Sequence, residues 1–138
     1  MFSELICINI FKLAFIFIKN RKVLMTLSKG QETYYIPGGK REIGETDVQA
    51  LIREVKEELT VDLIPETIVH YGTFEAQAHG KAEGIMVRMT CYQADFIGAL
   101  QPSAEIESID YYTFAQRESV GPVDQLIFDD LKRKDMLD

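Results

Sequence analysis

The sequence has no tryptophan and only two cysteines, Cys7 and Cys91, in 138 residues. The cysteines stand far apart with no Cys-x-x-Cys spacing, which excludes a disulfide framework and a zinc finger. Both read as small buried hydrophobes. Four prolines and nine glycines are too few for a collagen-like or low-complexity chain. No long basic run occurs: fifteen Lys and Arg stand against twenty-two Asp and Glu, a net charge of −7. That balance argues against a nucleic-acid footprint, and no stable nucleic-acid partner is expected. A protein this acidic would need a cation between itself and any polyanion it handled. A membrane-length hydrophobic run is also missing. The most apolar stretch, Leu5–Ile18, is interrupted by Asn9 and Lys12 and falls short of the ~20 residues of a spanning helix. A secretory signal carries its positive charge ahead of the apolar run; here Glu4 precedes it and Lys19-Asn20-Arg21-Lys22 follows. The expectation is a soluble, cytoplasmic protein with no membrane partner.

The composition that remains is that of an ordinary globular protein, 46% apolar and 27% charged. Its length suits one domain over residues 1–138. Leu5–Ile18 predicts a buried strand, turned by Lys19–Lys22 into a second strand, Val23–Leu27. Tyr34–Ile36 predicts a short strand stopped by a turn at Pro37-Gly38-Gly39. A helix is predicted over Asp47–Leu59, then strands at Thr67–Ala76, Ile85–Phe96 and Ile109–Phe114. Ala78–Gly84 and Gly98–Ser103 read as the connecting loop and turn. Gly121-Pro122 opens a last helix, with Val123, Leu126, Ile127 and Leu131 at helical spacing. The class is α+β.

The middle helix is the most informative segment. Thr46 followed by Gln49 fits a capping box that fixes the helix start. Val48, Leu51, Ile52, Val55 and Leu59 form one apolar stripe. Glu54, Glu57 and Glu58 fall in a different sector, roughly 100° wide. Such a trio is commonly a solvated face, but two features oppose that here. Glu54 is like-charged with both i+3 and i+4 neighbours, which is unfavourable, and all three sit at the helix end whose dipole repels anions. Three hard oxygen ligands on a rigid element suit Mg²⁺ or Mn²⁺.

With its flanks the segment runs Gly39-x5-Glu45-x7-Arg53-Glu54-Val55-x-Glu57-Glu58-x-Thr60-Val61. It resembles the Nudix box, G-x5-E-x7-R-E-U-x-E-E-x-G-U with U aliphatic, in eight of nine specified positions. Thr60 stands where the family has Gly. Because Gly past a helix end supplies a left-handed conformation, either the helix ends differently here or Thr60 is strained. Pro37-Gly38-Gly39 leading into the box is also family-like, with Tyr34 where many members carry Trp.

The resemblance implies an α/β/α sandwich with a mixed β-sheet between helices, and hydrolysis of a nucleoside diphosphate linked to a further group. It implies Mg²⁺ or Mn²⁺ held by Glu54, Glu57, Glu58 and the Gly39 carbonyl, with Glu45 lining the site. Arg53 is expected to orient a box glutamate. The general base varies within the family, and Glu105 and Glu107 are candidates beside the box glutamates. Tyr34, Tyr35 and Phe74 are candidates for stacking on a base, and Arg88 and His79 for contacting phosphate, although core or surface roles are the ordinary alternative for each. A nucleoside triphosphate is the favoured small-molecule substrate, because nothing in this short chain matches the added N-terminal domain that many sugar-diphosphate members use to dimerise. ADP-ribose or a nucleotide sugar is the alternative, as are a non-catalytic nucleotide sensor and a diphosphate isomerase. A homodimer is left open.

Overall fold

The computed structural model describes residues 7–138. The first part of the predicted Leu5–Ile18 strand lies outside them. Within them, β1 spans Ile10–Phe15 and is followed by β2 (Ile18–Lys19) and β3 (Lys22–Ser28). The short β4 (Gly38–Gly39) precedes α1 (Asp47–Leu59) and β5 (Asp62–Leu63). Then come β6 (Val69–Gln77), β7 (Met86–Gln93), β8 (Phe96–Ile97), β9 (Ile106–Tyr112) and α2 (Pro122–Arg133).

The apolar run at the start is a central strand, not one arm of a long hairpin. β1 pairs in parallel with β7 and antiparallel with β4, within a mixed sheet of order β4-β1-β7-β6. Only β2 hairpins with β3, which continues antiparallel to β9 in a second sheet. The reason is burial on both faces. Leu13 and Phe15 pack under α1 with Leu51, Val55 and Leu59, while Ala14 and Ile16 alternate to the other side with Ile127, Phe128 and Leu131 of α2.

 Ala14 and Ile16 thus face α2 and Leu13 and Phe15 face α1, which gives two helices enclosing the strands, as the family resemblance implies.

Four smaller expectations change. Tyr34–Ile36 makes only a single bridge, Tyr35 with Thr26. The Pro37-Gly38-Gly39 turn is instead where β4 runs along β1, pairing Gly38 with Ala14 and Gly39 with Leu13. A Cβ at Gly38 would lie 1.9 Å from the Leu13 carbonyl oxygen, so only glycine permits that approach. The predicted Ile85–Phe96 strand is two elements, because β8 leaves the main sheet to pair with β5. Cys91 is buried as expected, but Cys7 is exposed.

The helix α1 begins and ends where the sequence places it. Thr46 Oγ1 accepts the Gln49 N–H at 3.1 Å and Gln49 Oε1 accepts the Thr46 N–H at 2.9 Å, a complete capping box. At the other end Thr60 adopts a left-handed conformation with φ of 63°, and its N–H donates to the Lys56 carbonyl. The strain expected of a β-branched residue is therefore present. Thr60→Gly is expected to raise stability by about 1 kcal/mol, read as a higher urea midpoint at unchanged slope. An unchanged or lowered midpoint would show that the Thr60 hydroxyl bond to the Ala99 carbonyl outweighs the strain.

Candidate active site

The box glutamates do not act as one trio. Glu54 and Glu58 come together with Glu105, each offering a carboxylate oxygen within 4.8 Å of the others. Glu58 is buried, Glu54 half-buried and Glu105 exposed. Glu57 lies outside this group, half in solvent, with Arg53 at 3.6 Å. Glu107 is exposed on β9 and is also outside it.

Glu105 arrives through the loop after β8. The last turn of α1 leaves carbonyls without intrahelical partners, and two of them accept loop amides: Glu58 C=O from Ser103 N–H and Leu59 C=O from Gln101 N–H, both at 3.0 Å. The Glu105 carbonyl in turn accepts the Lys29 N–H at 2.8 Å. The sequence signalled Glu105 only as an acid before a strand; its pairing with Glu58 depends on a tertiary contact that no local pattern encodes.

Gly39 lies against the cluster. A Cβ there would fall 2.4 Å from the Glu54 carboxyl carbon, so the carboxylate occupies the space a side chain would fill. Glu58 Oε1 accepts the Gly38 N–H at 3.1 Å. Burial pushes the Glu58 carboxyl up to about 8, helped by the neighbouring charges of Glu105 and Glu54 and opposed by that hydrogen bond. Burial also raises Glu54, against the pull of Arg53.

Arg53 organises the opposite side. Its Nε and Nη2 donate to the two Glu45 oxygens, both at 2.8 Å, and its Nη1 donates to Glu54 Oε1 at 2.9 Å. Nη2 also reaches the Lys40 carbonyl at 3.1 Å. The bidentate pair with Arg53 holds the Glu45 carboxyl down at about 2, with the Glu42 N–H adding to it. Arg53→Lys is expected to lower kcat about 10²-fold, because a point charge cannot hold Glu45 and Glu54 in one plane. Circular dichroism should remain native. Full activity in the Lys variant would show that charge alone suffices.

Of the remaining sequence candidates, Tyr34, Phe74 and Arg88 lie away from the carboxylates. Tyr34 packs on Tyr112 and its hydroxyl meets Ser108 Oγ at 2.8 Å, on the α2 side of the fold. Arg88 donates to Glu75 at 2.6 Å and lies over the Phe11 ring. Phe74 packs against the α2 core. Tyr35 and His79 do meet: the phenol oxygen and Nδ1 are 2.6 Å apart.

Beside the carboxylates is a cleft of about 390 Å³, lined by Lys12, Ser28, Gln31, Tyr35, Gly38, Gly39, Glu58 and Glu105 among others. A second, smaller cavity adjoins it, sharing Lys12, Tyr35 and Met89 and reaching the first turn of α2 at Asp124. Neither Lys12 nor Asp124 was singled out from sequence as a site residue. The available signals were a lone Lys inside an apolar run and an acid among the apolar positions of a helix start.

The donor set tests well against a divalent cation. All the convergent side-chain atoms are carboxylate oxygens, the type Mg²⁺ and Mn²⁺ take. Glu58 is buried, with the Gly38 N–H on its Oε1 and no cation beside it among the described residues, so its ionised form needs a counter-ion.

Comparison with known proteins bears on the family and the fold. The NUDIX domain model matches residues 12–131. No curated protein matches the chain. Among solved structures, the MutT protein from Methanosarcina mazei Go1 superposes with a TM-score of 0.74 at 14% identity, over 96% of this chain and 99% of that one. The E. coli ORF135 protein gives 0.69 at 22% identity, over 89% and 90%. A NUDIX hydrolase from Nitrosomonas europaea gives 0.70 at 14% identity, over 92% and 90%. At such identities the structural likeness is one of fold. No helix among the described residues is long and apolar enough to cross a membrane. With the domain model spanning most of its length, the chain belongs to the Nudix hydrolases, enzymes that act on pyrophosphate bonds.

Proposed function

We propose that the chain is a divalent-metal-dependent pyrophosphohydrolase whose substrate is a nucleoside triphosphate. The observation that carries this reading is the convergence of Glu54, Glu58 and Glu105 beside Gly39 at the edge of an open cleft. Glu54, Glu58, Glu105 and the Gly39 carbonyl would hold Mg²⁺ or Mn²⁺, with Glu57 able to join from its exposed position. Bound there, the cation would neutralise phosphate charge and make a water more acidic.

The protein's own residues have separable parts in the reaction. Arg53 is a positioning residue, fixing Glu54 and Glu45 through its fork of hydrogen bonds. Glu58 is anchored by the Gly38 amide and cannot move far. Glu105, the most exposed of the three, is suited to take the proton of the attacking water and pass it to solvent. The new bond forms from that water's oxygen to phosphorus, the bridging P–O bond breaks, and the leaving group, diphosphate or nucleoside monophosphate according to which phosphorus is attacked, departs with the bond's electron pair. The cleft of about 390 Å³ beside the carboxylates leaves room for more of the substrate than its phosphates, which favours a nucleotide over a bare polyphosphate.

The test is a panel of nucleoside triphosphates, dinucleotides and nucleotide sugars with Mg²⁺ and Mn²⁺, with products identified by mass. A nucleoside monophosphate and a diphosphate released from triphosphates, and lost on adding chelator, is the expected result. Faster release from nucleotide sugars would transfer the assignment to that substrate class. No release from any compound would sink the enzymatic reading of this site.

A further inference from the structure

The loop that leads from Gly39 into α1 makes little structure of its own. Every residue from Lys40 to Gly44 is exposed, and the Glu45 N–H closes the loop by donating to the Glu42 carbonyl. Side chains must therefore hold it. Before it, Gly38 and Gly39 are fixed on β1 by pairing with Ala14 and Leu13. Across it, Arg53 binds Glu45 and the Lys40 carbonyl.

A second anchor uses residues at positions the box leaves unspecified, and one outside it. Asp47, the first residue of α1, accepts a hydrogen bond on each carboxylate oxygen. Arg41 Nη1 donates to Oδ1 at 3.0 Å, and the Tyr92 hydroxyl donates to Oδ2 at 2.9 Å. The helix dipole favours a negative charge at that end, so both bonds are charge-assisted. Burial and the Asp47 carboxylate push the Tyr92 phenol up to about 12, which keeps it a donor at neutral pH. Arg41 belongs to the loop, Asp47 to α1 and Tyr92 to β7, so one chain of bonds joins all three. Tyr92 is in register with Phe15 of β1, the strand that also holds Gly39 at Leu13. The glycine pair and the start of α1 are thus both measured from one sheet.

We infer that Arg41, Asp47 and Tyr92 are positioning residues for the metal site, setting the Gly39 carbonyl against the carboxylates of α1. The inference rests on the cation site proposed above and adds to it side chains that touch neither cation nor substrate. Gly39 stays with β1 while Glu54 and Glu58 travel with α1, so any movement of the helix start changes the spacing between them. The apolar stripe of α1 holds the helix down, but hydrophobic contact is non-directional and resists sliding poorly. The hydrogen bonds of Asp47 supply the missing direction. Mg²⁺ demands oxygen ligands at about 2.0–2.1 Å in near-octahedral geometry, so a small slide is felt as lost affinity. Release of the Tyr92 hydroxyl would free the helix start from β7, and release of Arg41 would free the loop from the helix.

Mn²⁺ binding to the full chain, followed by the EPR signal of the free ion, tests this without turnover. Tyr92→Phe keeps the ring and deletes only the hydroxyl, and Arg41→Met deletes an exposed guanidinium. Each is expected to weaken Mn²⁺ binding by about threefold or more. The double variant should stay within about twofold of the weaker single one, because both bonds act through Asp47. At saturating Mn²⁺, kcat should recover to within about twofold of wild type, since the ligands themselves are unchanged. Lys56→Met, which removes the ion pair of α1 with Asp62, should bind Mn²⁺ as wild type does. Losses below about threefold in both single variants, losses that multiply in the double variant, or an equal loss in Lys56→Met overturn the inference. If Tyr92→Phe does not fold, Arg41→Met decides by the same limit. Wild-type protein that binds Mn²⁺ while the variants bind it equally well rejects the positioning role alone. Wild-type protein that binds no Mn²⁺ rejects the cation site, and the positioning role with it.

Discussion

Glu58→Gln is expected to lower kcat by about 10³-fold or more with the fold intact. Glu58 is the most buried member of the cluster and is tethered by the Gly38 amide, so no neighbouring acid can take its place. Gln keeps the shape and can still accept that N–H, but it cannot neutralise a cation. The same substitution has a second, opposite consequence. In metal-free protein it removes a buried charge, so at pH 8 the variant should melt at a higher temperature than wild type. Steady-state kinetics with saturating Mg²⁺ and melting curves in chelator check the two parts separately. A variant that is inactive and also less stable at pH 8 would mean that Glu58 is principally a structural residue. Glu57→Gln, at a half-exposed position, should show the milder pattern of a raised Mg²⁺ requirement.

The second large effect is a fall in the stability of the metal-free protein as pH rises. The folded-state pKa of Glu58 is raised from 4.5 to about 8, so between those values the folded protein holds a proton that the unfolded chain has lost. Proton binding is then greater in the folded state, and stability falls with rising pH across that interval. Asp124 acts in the same direction between 3.8 and about 7, because burial raises its carboxyl despite the Ile36 amide and Lys12. Together they should lower stability by several kcal/mol between pH 5 and pH 8. Added Mn²⁺ should restore the Glu58 share and leave the Asp124 share untouched. Urea unfolding at a series of pH values, with and without Mn²⁺, measures both. A flat metal-free profile would show that water reaches these carboxyls and stabilises their charge.

Much of this was legible in the sequence, for identifiable reasons. The helix at Asp47–Leu59 was readable because its cap, its apolar stripe and its box all follow local periodicity. The apolar run ending at Ile18 signalled a strand, and Leu13 to Ile16 are buried in the structure. Its partner was not legible, since a parallel neighbour 77 positions away leaves no mark on local alternation. Gly38 and Gly39 read as a turn because glycine usually marks one; here they lie flat so that β1 and Glu54 can come close. That Glu105, and not Glu57, lies within reach of Glu54 and Glu58 was hidden for a similar reason. Angular position on a helix says which residues share a face, but not which of them the next loop will cover.

The attachment of that loop has an implication for sequence change. Connecting segments on a protein surface usually accept added or deleted residues. The one from Gly98 to Glu105 is measured against the end of α1 by the amides of Gln101 and Ser103. Lengthening it by a single residue would carry Glu105 past its companions while leaving both protein layers intact. Natural variation in this stretch should therefore appear as exchanged side chains at constant length, a polar surface loop as intolerant of indels as a core strand.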